Sequence, residues 1–395
     1  MRLLQASVTL PVVWCLVSCN RFRFPDIKPG YREFAYVSNG AAGTVSVLDL
    51  VYLRQDRTLQ VGENPTGLAV NPKRDEVYVV NTKSGTVSVI NTVSNSVTAT
   101  IRVGRKPYFI SVDATGTHAY VANSGSHSVS VLDLLGRKEL ISVAAGESPG
   151  LARISPDSRS LVVSDRGSGS VYIFAVSTVE GAAPLRLRAI YSGCPGATDV
   201  AILPDSSKAF VACSGGHQVM AVGLAVPPDT WAAKHNPSLT SDRLLTMLDV
   251  GKTPVHLTVK PDGGEIFVSN FGSNTISAIS TWTNEVESTY PIGNRPVFSV
   301  VSSDDTSLWV SNFSADSVSL YSIDDGKMVT SIHTGPEPDA LAFSADEHLL
   351  LAADARSGDV AVIRTQSKTG PELFTILPAG ASPNDLVIKA FHVKP

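Results

Sequence analysis

The chain has 395 residues and a formal net charge of −4 at pH 7. No run of Lys or Arg exceeds two residues, which excludes the basic stripe of a dedicated nucleic-acid surface, so no nucleic-acid partner is expected. Past the N-terminal segment no stretch approaches the roughly 20 apolar residues that a membrane-crossing helix needs.

The first 18 residues read as a targeting segment. Arg2 is a thin positive start, and residues 3–17 are mostly apolar, broken by Gln5 and Ser7. Leu16-Val17-Ser18-Cys19 resembles a bacterial lipobox. The resemblance implies cleavage before Cys19 and a lipid on its thiol, which makes residues 1–18 a lipoprotein signal peptide. Residues 19–31, with Pro25, Pro29 and Gly30, then form a tether. A multi-chain lipid anchor holds a protein stably on a bilayer. The expected location is therefore extracytoplasmic, on the periplasmic or cell-surface side of a bacterial membrane.

The rest of the chain, residues 32–395, is repetitive. An aromatic-Val-x-Asn tetrapeptide occurs as Tyr36-Val37-Ser38-Asn39, Tyr78-Val79-Val80-Asn81 and Tyr120-Val121-Ala122-Asn123, in steps of 42 residues. It returns as Phe267-Val268-Ser269-Asn270 and Trp309-Val310-Ser311-Asn312, again 42 apart. A fixed period in this range means stacked units, none able to bury its apolar face alone.

The unit from Gly62 to Val103 serves as a template. Gly62-Glu63-Asn64-Pro65 opens it as a turn, and residues 66–70 form a short apolar strand. Asn71-Pro72 supplies the next turn. Residues 76–81, 86–90 and 96–103 follow as three more strands rich in β-branched residues, with Val87 and Val89 alternating against Thr86 and Ser88. Each unit is thus a four-stranded antiparallel blade.

The G-x-x-P opening marks units independently, at Gly62/Pro65, Gly104/Pro107, Gly146/Pro149, Gly251/Pro254, Gly293/Pro296, Gly335/Pro338 and Gly380/Pro383, with a degenerate copy over residues 193–197. The chain begins with second, third and fourth strands (34–39, 44–50 and 58–61) and ends with an orphan first strand (383–390). Pairing that last strand with the first three completes one blade from both termini and leaves only protected edges. The expected fold is an all-β propeller of eight blades. Seven blades is the alternative, and would leave the terminal strands unpaired.

The tetrapeptides YVSN, YVVN and YVAN resemble the YVTN β-propeller repeat, over nearly the whole mature chain. No Trp-Asp dipeptide closes the units, which disfavours a WD40 propeller. The resemblance implies a secreted or surface protein of a prokaryote, and a repeat similar to those of lactonase-type and quinoprotein-dehydrogenase-like propellers.

Two irregularities interrupt the period. Residues 226–243, with Trp231, His235 and three prolines, are expected as an insertion between the third and fourth strands of one blade. Cys194 precedes a first strand and Cys213 ends the following second strand, so antiparallel pairing puts them at one rim within reach of a disulfide.

The Asn ending each second strand is expected to cap its own turn. Divergence is concentrated instead two residues past the G-x-x-P proline, where the first strand enters the central channel. Around the ring this position reads Gly67, Phe109, Leu151, Asp199, His256, Phe298, Ala340 and Asp385, with Ala197 taken in place of the proline before Asp199. Asp199, His256 and Asp385 titrate, and Arg105, Lys252 and Arg295 come from adjoining loops. A carboxylate, an imidazole and an arginine around one mouth could bind an anion or carry acid–base hydrolysis. No G-x-S-x-G or H-E-x-x-H motif is present, and no metal-ligand spacing or cofactor motif is read.

The leading expectation is a membrane-tethered, non-catalytic binding scaffold that meets a protein, glycan or small ligand at its rim or channel. The alternative is a lactonase-like hydrolase with His256 as general base and Arg295 as anion clamp, helped by Asp199 or Asp385. A quinone-dependent redox propeller ranks third, with no residue in its favour.

Overall fold

Each repeat folds into four antiparallel strands, and eight such sheets form a ring in the computed structural model, which describes residues 29–177 and 183–393. The expected signal peptide, Cys19 and most of the tether lie outside the described residues. Blade 2 typifies the rest: an inner strand Pro65–Val70, then Glu76–Asn81, Thr86–Asn91 and an outer strand Ser96–Arg102. Blade 1 is built from both ends of the chain. Its inner strand Pro383–His392 pairs antiparallel with Tyr31–Asn39, from Tyr31↔His392 to Asn39↔Pro383. That pairing gives eight blades and excludes the seven-bladed alternative.

The second and third strands of each blade are sandwiched between neighbouring blades. Glu76–Asn81 and Thr44–Asp49 are accordingly buried along their whole length, whereas the outer strand Glu285–Pro291 alternates exposed and half-buried residues. The apolar clusters therefore bridge pairs of blades. Tyr78, Val80, Val87 and Val89 of blade 2 pack against Ala119, Val121 and Leu132 of blade 3. Burial of this kind, at about 25 cal/mol per Å² of apolar surface, is the main force holding the ring.

The Asn ending each second strand differs from expectation. It does not cap its own turn. Asn81 Nδ2 donates across the turn to Thr86 Oγ1 at 3.0 Å and Ser88 Oγ at 2.9 Å, and Asn270 repeats the pattern with Thr275 and Ser277. The buried strand hydroxyls explain this, because each needs a partner once it is out of water. The glycine of G-x-x-P lies flat against the same Asn. A Cβ built on Gly104 would sit 2.7 Å from Asn123 Cγ, and one on Gly62 would sit 2.7 Å from Asn81 Cγ. Where Asp replaces Asn, its carboxylate accepts from the loop: Glu147 N and Ser148 N donate to Asp165 at 2.7 and 2.6 Å. In blade 5 the Asn position is Cys213, and a buried disulfide to Cys194 stands in place of the Asn–Gly contact.

The turns define two faces. The G-x-x-P loops and the turns between second and third strands lie on the mouth face. The turns between inner and second strands, and between third and outer strands, lie on the far face. Hydrogen bonds such as Thr92 N to Asp75 O and Thr281 N to Gly264 O join these last two turns within a blade. Residues 224–242 connect the third and outer strands of blade 5 on the far face. They hold a short helix, Trp231–His235, capped by Thr230, and a 3-10 turn, Pro237–Thr240. Arg188 of blade 4 clasps Asp242 at 2.8 Å.

Gly104→Ala forces a Cβ into Asn123 and is expected to cost about 1–3 kcal/mol, read as a lower urea midpoint with unchanged slope. Replacing Cys194 and Cys213 together by Ala opens a link spanning 19 residues, and should cost about 3 kcal/mol in the same experiment.

Candidate functional site

Eight inner strands surround a central channel with a cavity of about 1070 Å³. All eight residues two past the G-x-x-P proline line it: Gly67, Phe109, Leu151, Asp199, His256, Phe298, Ala340 and Asp385. The cause is a β-bulge. In every inner strand the register slips just after the proline, or after Ala197 in blade 5, as between Pro254 and His256 or Pro65 and Gly67, and a bulge re-aims the side chains beside it.

Asp199 and His256 come from neighbouring blades 5 and 6 and meet on one wall. His256 Nε2 lies 3.8 Å from Asp199 Oδ2. Arg153, from the inner strand of blade 4 (Pro149–Ile154), brings its guanidinium 3.5 Å from Asp199 Oδ1. Asp199 also accepts the Leu257 N–H and its neighbour Val200 N–H, both at 2.8 Å. It is thus a latch between two blades and the counterion of Arg153. Two aromatic rings back these side chains: the His256 imidazole packs tilted against Phe298 with ring centroids 3.9 Å apart, and the Arg153 cation lies 5.0 Å over Phe109.

The imidazole is held neutral. Burial pushes the His256 pKa below its usual value and Arg153 adds to the effect, with Asp199 opposing it. The Ser299 N–H donates to Nδ1 at 3.3 Å, so Nδ1 carries the lone pair and the proton sits on Nε2. His256 therefore presents its Nε2–H as a donor on this wall.

Asp385 sits across the channel. Blade 1 is four blades from blade 5 in a ring of eight, so Asp385 and Asp199 oppose each other. Asp385 repeats the latch, accepting Leu68 N–H at 2.8 Å and Leu386 N–H at 2.9 Å. Burial nonetheless pushes its pKa up to about 7, against those two N–H groups, with the Asp339 charge adding and Arg153 subtracting. Asp339, from blade 8, is itself raised to about 6 by burial and then by Glu337. One wall is therefore cationic and the facing wall carries two carboxyls that titrate near neutrality.

Arg295 does not join them. It occupies the loop before the inner strand of blade 7, at φ 55, with its guanidinium 5.3 Å over Phe271. The side chain is directed over the preceding blade, blade 6, whose turn holds Phe271, and it does not line the channel. Arg153 takes the clamp position instead. Arg153 and Asp339 were missed because they lie four and one residues past the proline. They are the only charged residues at those two positions around the ring, so reading all the channel positions together would have found them. No cluster of three or more metal-ligating side chains occurs among the described residues.

A family described as lactonase, seven-bladed β-propeller, matches residues 34–150 and 299–375. The match leaves out residues 151–298, which carry Arg153, Asp199 and His256. No curated protein matches in sequence. Among solved structures, the periplasmic gluconolactonase of Pseudomonas aeruginosa is similar at 18% identity and TM-score 0.60, over 90% of this chain and 99% of that one. A candidate 6-phosphogluconolactonase of Bacteroides fragilis gives 14% identity and TM-score 0.59, over 93% and 100%. A dihydro-heme d1 dehydrogenase gives 15% identity and TM-score 0.72, over 90% and 74%. Likenesses this distant show the fold alone. The lactonase family match overturns the expectation of a non-catalytic scaffold and favours the alternative, a lactonase-like hydrolase.

Asp199→Ala leaves the Leu257 and Val200 N–H groups without their acceptor and Arg153 without its counterion. The expected loss is about 1–3 kcal/mol in urea denaturation, with Asp199→Asn recovering part of it.

Proposed function

We propose that the chain hydrolyses a lactone in its central channel, a reading supported by the lactonase family match over residues 34–150 and 299–375. The observation that carries this reading is the pair of facing walls: Arg153 and His256 on one side, Asp385 and Asp339 on the other. A carboxyl with a pKa near 7 is well matched to general-base work at neutral pH. Asp385 takes a proton from water as the oxygen attacks the ring carbonyl. Arg153 and the Nε2–H of His256 stabilise the oxyanion that forms, in a site where preorganised donors count for more than they do in water. Collapse of the intermediate breaks the ring C–O bond, the proton held by Asp385 passes to the leaving alkoxide, and a hydroxy carboxylate is released. Asp199 keeps Arg153 in place.

The mouth favours acidic substrates. Its loops carry Lys83, Arg105, Lys106, Arg166, Lys252, Arg295 and Arg356 against Glu63, Glu147, Asp316 and Glu337. A mouth with this excess raises the local concentration of anions. Gluconolactone and its 6-phosphate, the substrate types named by the structural relatives, are the first to try.

The purified chain is expected to release acid from one of these lactones above the spontaneous rate, with Asp385→Asn and Arg153→Met each lowering kcat/KM on the order of 10²-fold. Variants that retain full activity would refute the site. The pH profile adds a test with a definite sign. Activity should rise with pH through about 7 as Asp385 ionises. Asp339→Asn removes a charge that raises the Asp385 pKa, so the rising limb should move to lower pH.

A further inference from the structure

The far face of the ring carries a feature that hydrolysis does not use. The four most exposed large hydrophobic side chains among the described residues are Trp282 (84%), Trp231 (73%), Tyr52 (70%) and Leu135 (67%), and the next, Val329, reaches 52%. All four lie in connections between third and outer strands, in blades 6, 5, 1 and 3. They therefore share one face and stand around its outer edge. Nothing about the repeat requires this, since the equivalent turn of blade 7 holds Asp324, Asp325 and Gly326.

The chain also enters the ring on this face. Tyr31 opens the second strand of blade 1, and Leu50 N, in the turn that carries Tyr52, donates to Glu33 O at 3.0 Å. Cys19, expected to carry a lipid, lies 12 residues before Tyr31. At roughly 3.5 Å per residue that tether spans at most about 40 Å. Trp and Tyr are the residues enriched at the interface of a bilayer with water.

We propose that the far face rests on the surface of a lipid bilayer, held by the N-terminal anchor and seated through Trp231, Trp282, Tyr52 and Leu135, with the channel mouth turned away from the membrane. The inner turns of the same face carry more Asp and Glu, among them Asp157, Asp205, Asp304, Asp305, Asp346 and Glu347, than Lys and Arg, which are Lys73, Arg74, Arg159 and Lys260. Anionic headgroups repel such a surface, so the bilayer it fits is zwitterionic. A tether this short keeps the four side chains at high effective concentration near the lipid, which lets a few weak contacts hold the orientation.

The test is site-resolved hydroxyl-radical footprinting of the full chain on phosphatidylcholine vesicles and in vesicle-free buffer. Oxidation of Trp231, Trp282 and Tyr52 should fall at least fivefold on vesicles, while Tyr108 on the mouth face keeps its reactivity. Equal reactivity of the three in both conditions, or protection of Tyr108, would overturn the proposal. Trp231→Ser combined with Trp282→Ser should lower co-sedimentation of the Cys19→Ser chain with the same vesicles about tenfold. Undiminished co-sedimentation would count against seating through these residues. Lactone hydrolysis is the separate readout: the double variant leaves it unchanged if the mouth faces away, and a fall in parallel with co-sedimentation would contradict the orientation.

Discussion

The contact between the G-x-x-P glycine and the Asn or Asp at the end of the second strand holds the repeat together. The loop leading into each blade lies flat on that side chain, with no room for a Cβ, as at Gly62 on Asn81 and Gly293 on Asn312. The same Asn ties down the buried hydroxyls of the third strand. In blade 1 the contact joins the two ends of the chain, because Gly380 packs on Asn39. In blade 5 Cys194 and Cys213 replace it with a covalent bond. Two sequence signals that look independent, the tetrapeptide and G-x-x-P, are two sides of one interaction.

This arrangement frees the inner strand to vary. The proline fixes where the strand begins, the bulge behind it aims the following residues into the channel, and the blade stays folded whatever those residues are. Closure of blade 1 then has a chemical consequence. It carries Asp385, near the end of the chain, to the wall opposite Asp199 and His256. Two carboxylates in equivalent positions, each latching the next blade by backbone N–H groups, have different surroundings. Asp199 has Arg153 at 3.5 Å, whereas Asp385 is buried beside Asp339 and titrates near 7. Equivalent latches thus become a counterion and, in the proposed reaction, a base.

Architecture was legible in the residues because the period, the turns and the alternation agree, and even the closing pair of strands follows from counting. The ring of channel-lining positions was legible for the same reason. The chemistry was less so. Arg295 looked like a clamp because it adjoins the channel in sequence, but a left-handed backbone at the end of its loop directs it onto Phe271. Arg153 was not singled out in the sequence, because it lies two positions further along its strand than the residues compared there. The roles of His256 and Asp385 depend on burial and on the Ser299 N–H, which no spacing encodes.

The most direct test of this account is a crystal structure of the chain soaked with gluconate, the hydroxy carboxylate that a gluconolactone would yield. The account predicts the ligand inside the channel, with its carboxylate against Arg153 and His256 Nε2 and a hydroxyl turned toward Asp385. A ligand bound only on the outer rim, or a channel left empty at saturating gluconate, would contradict it.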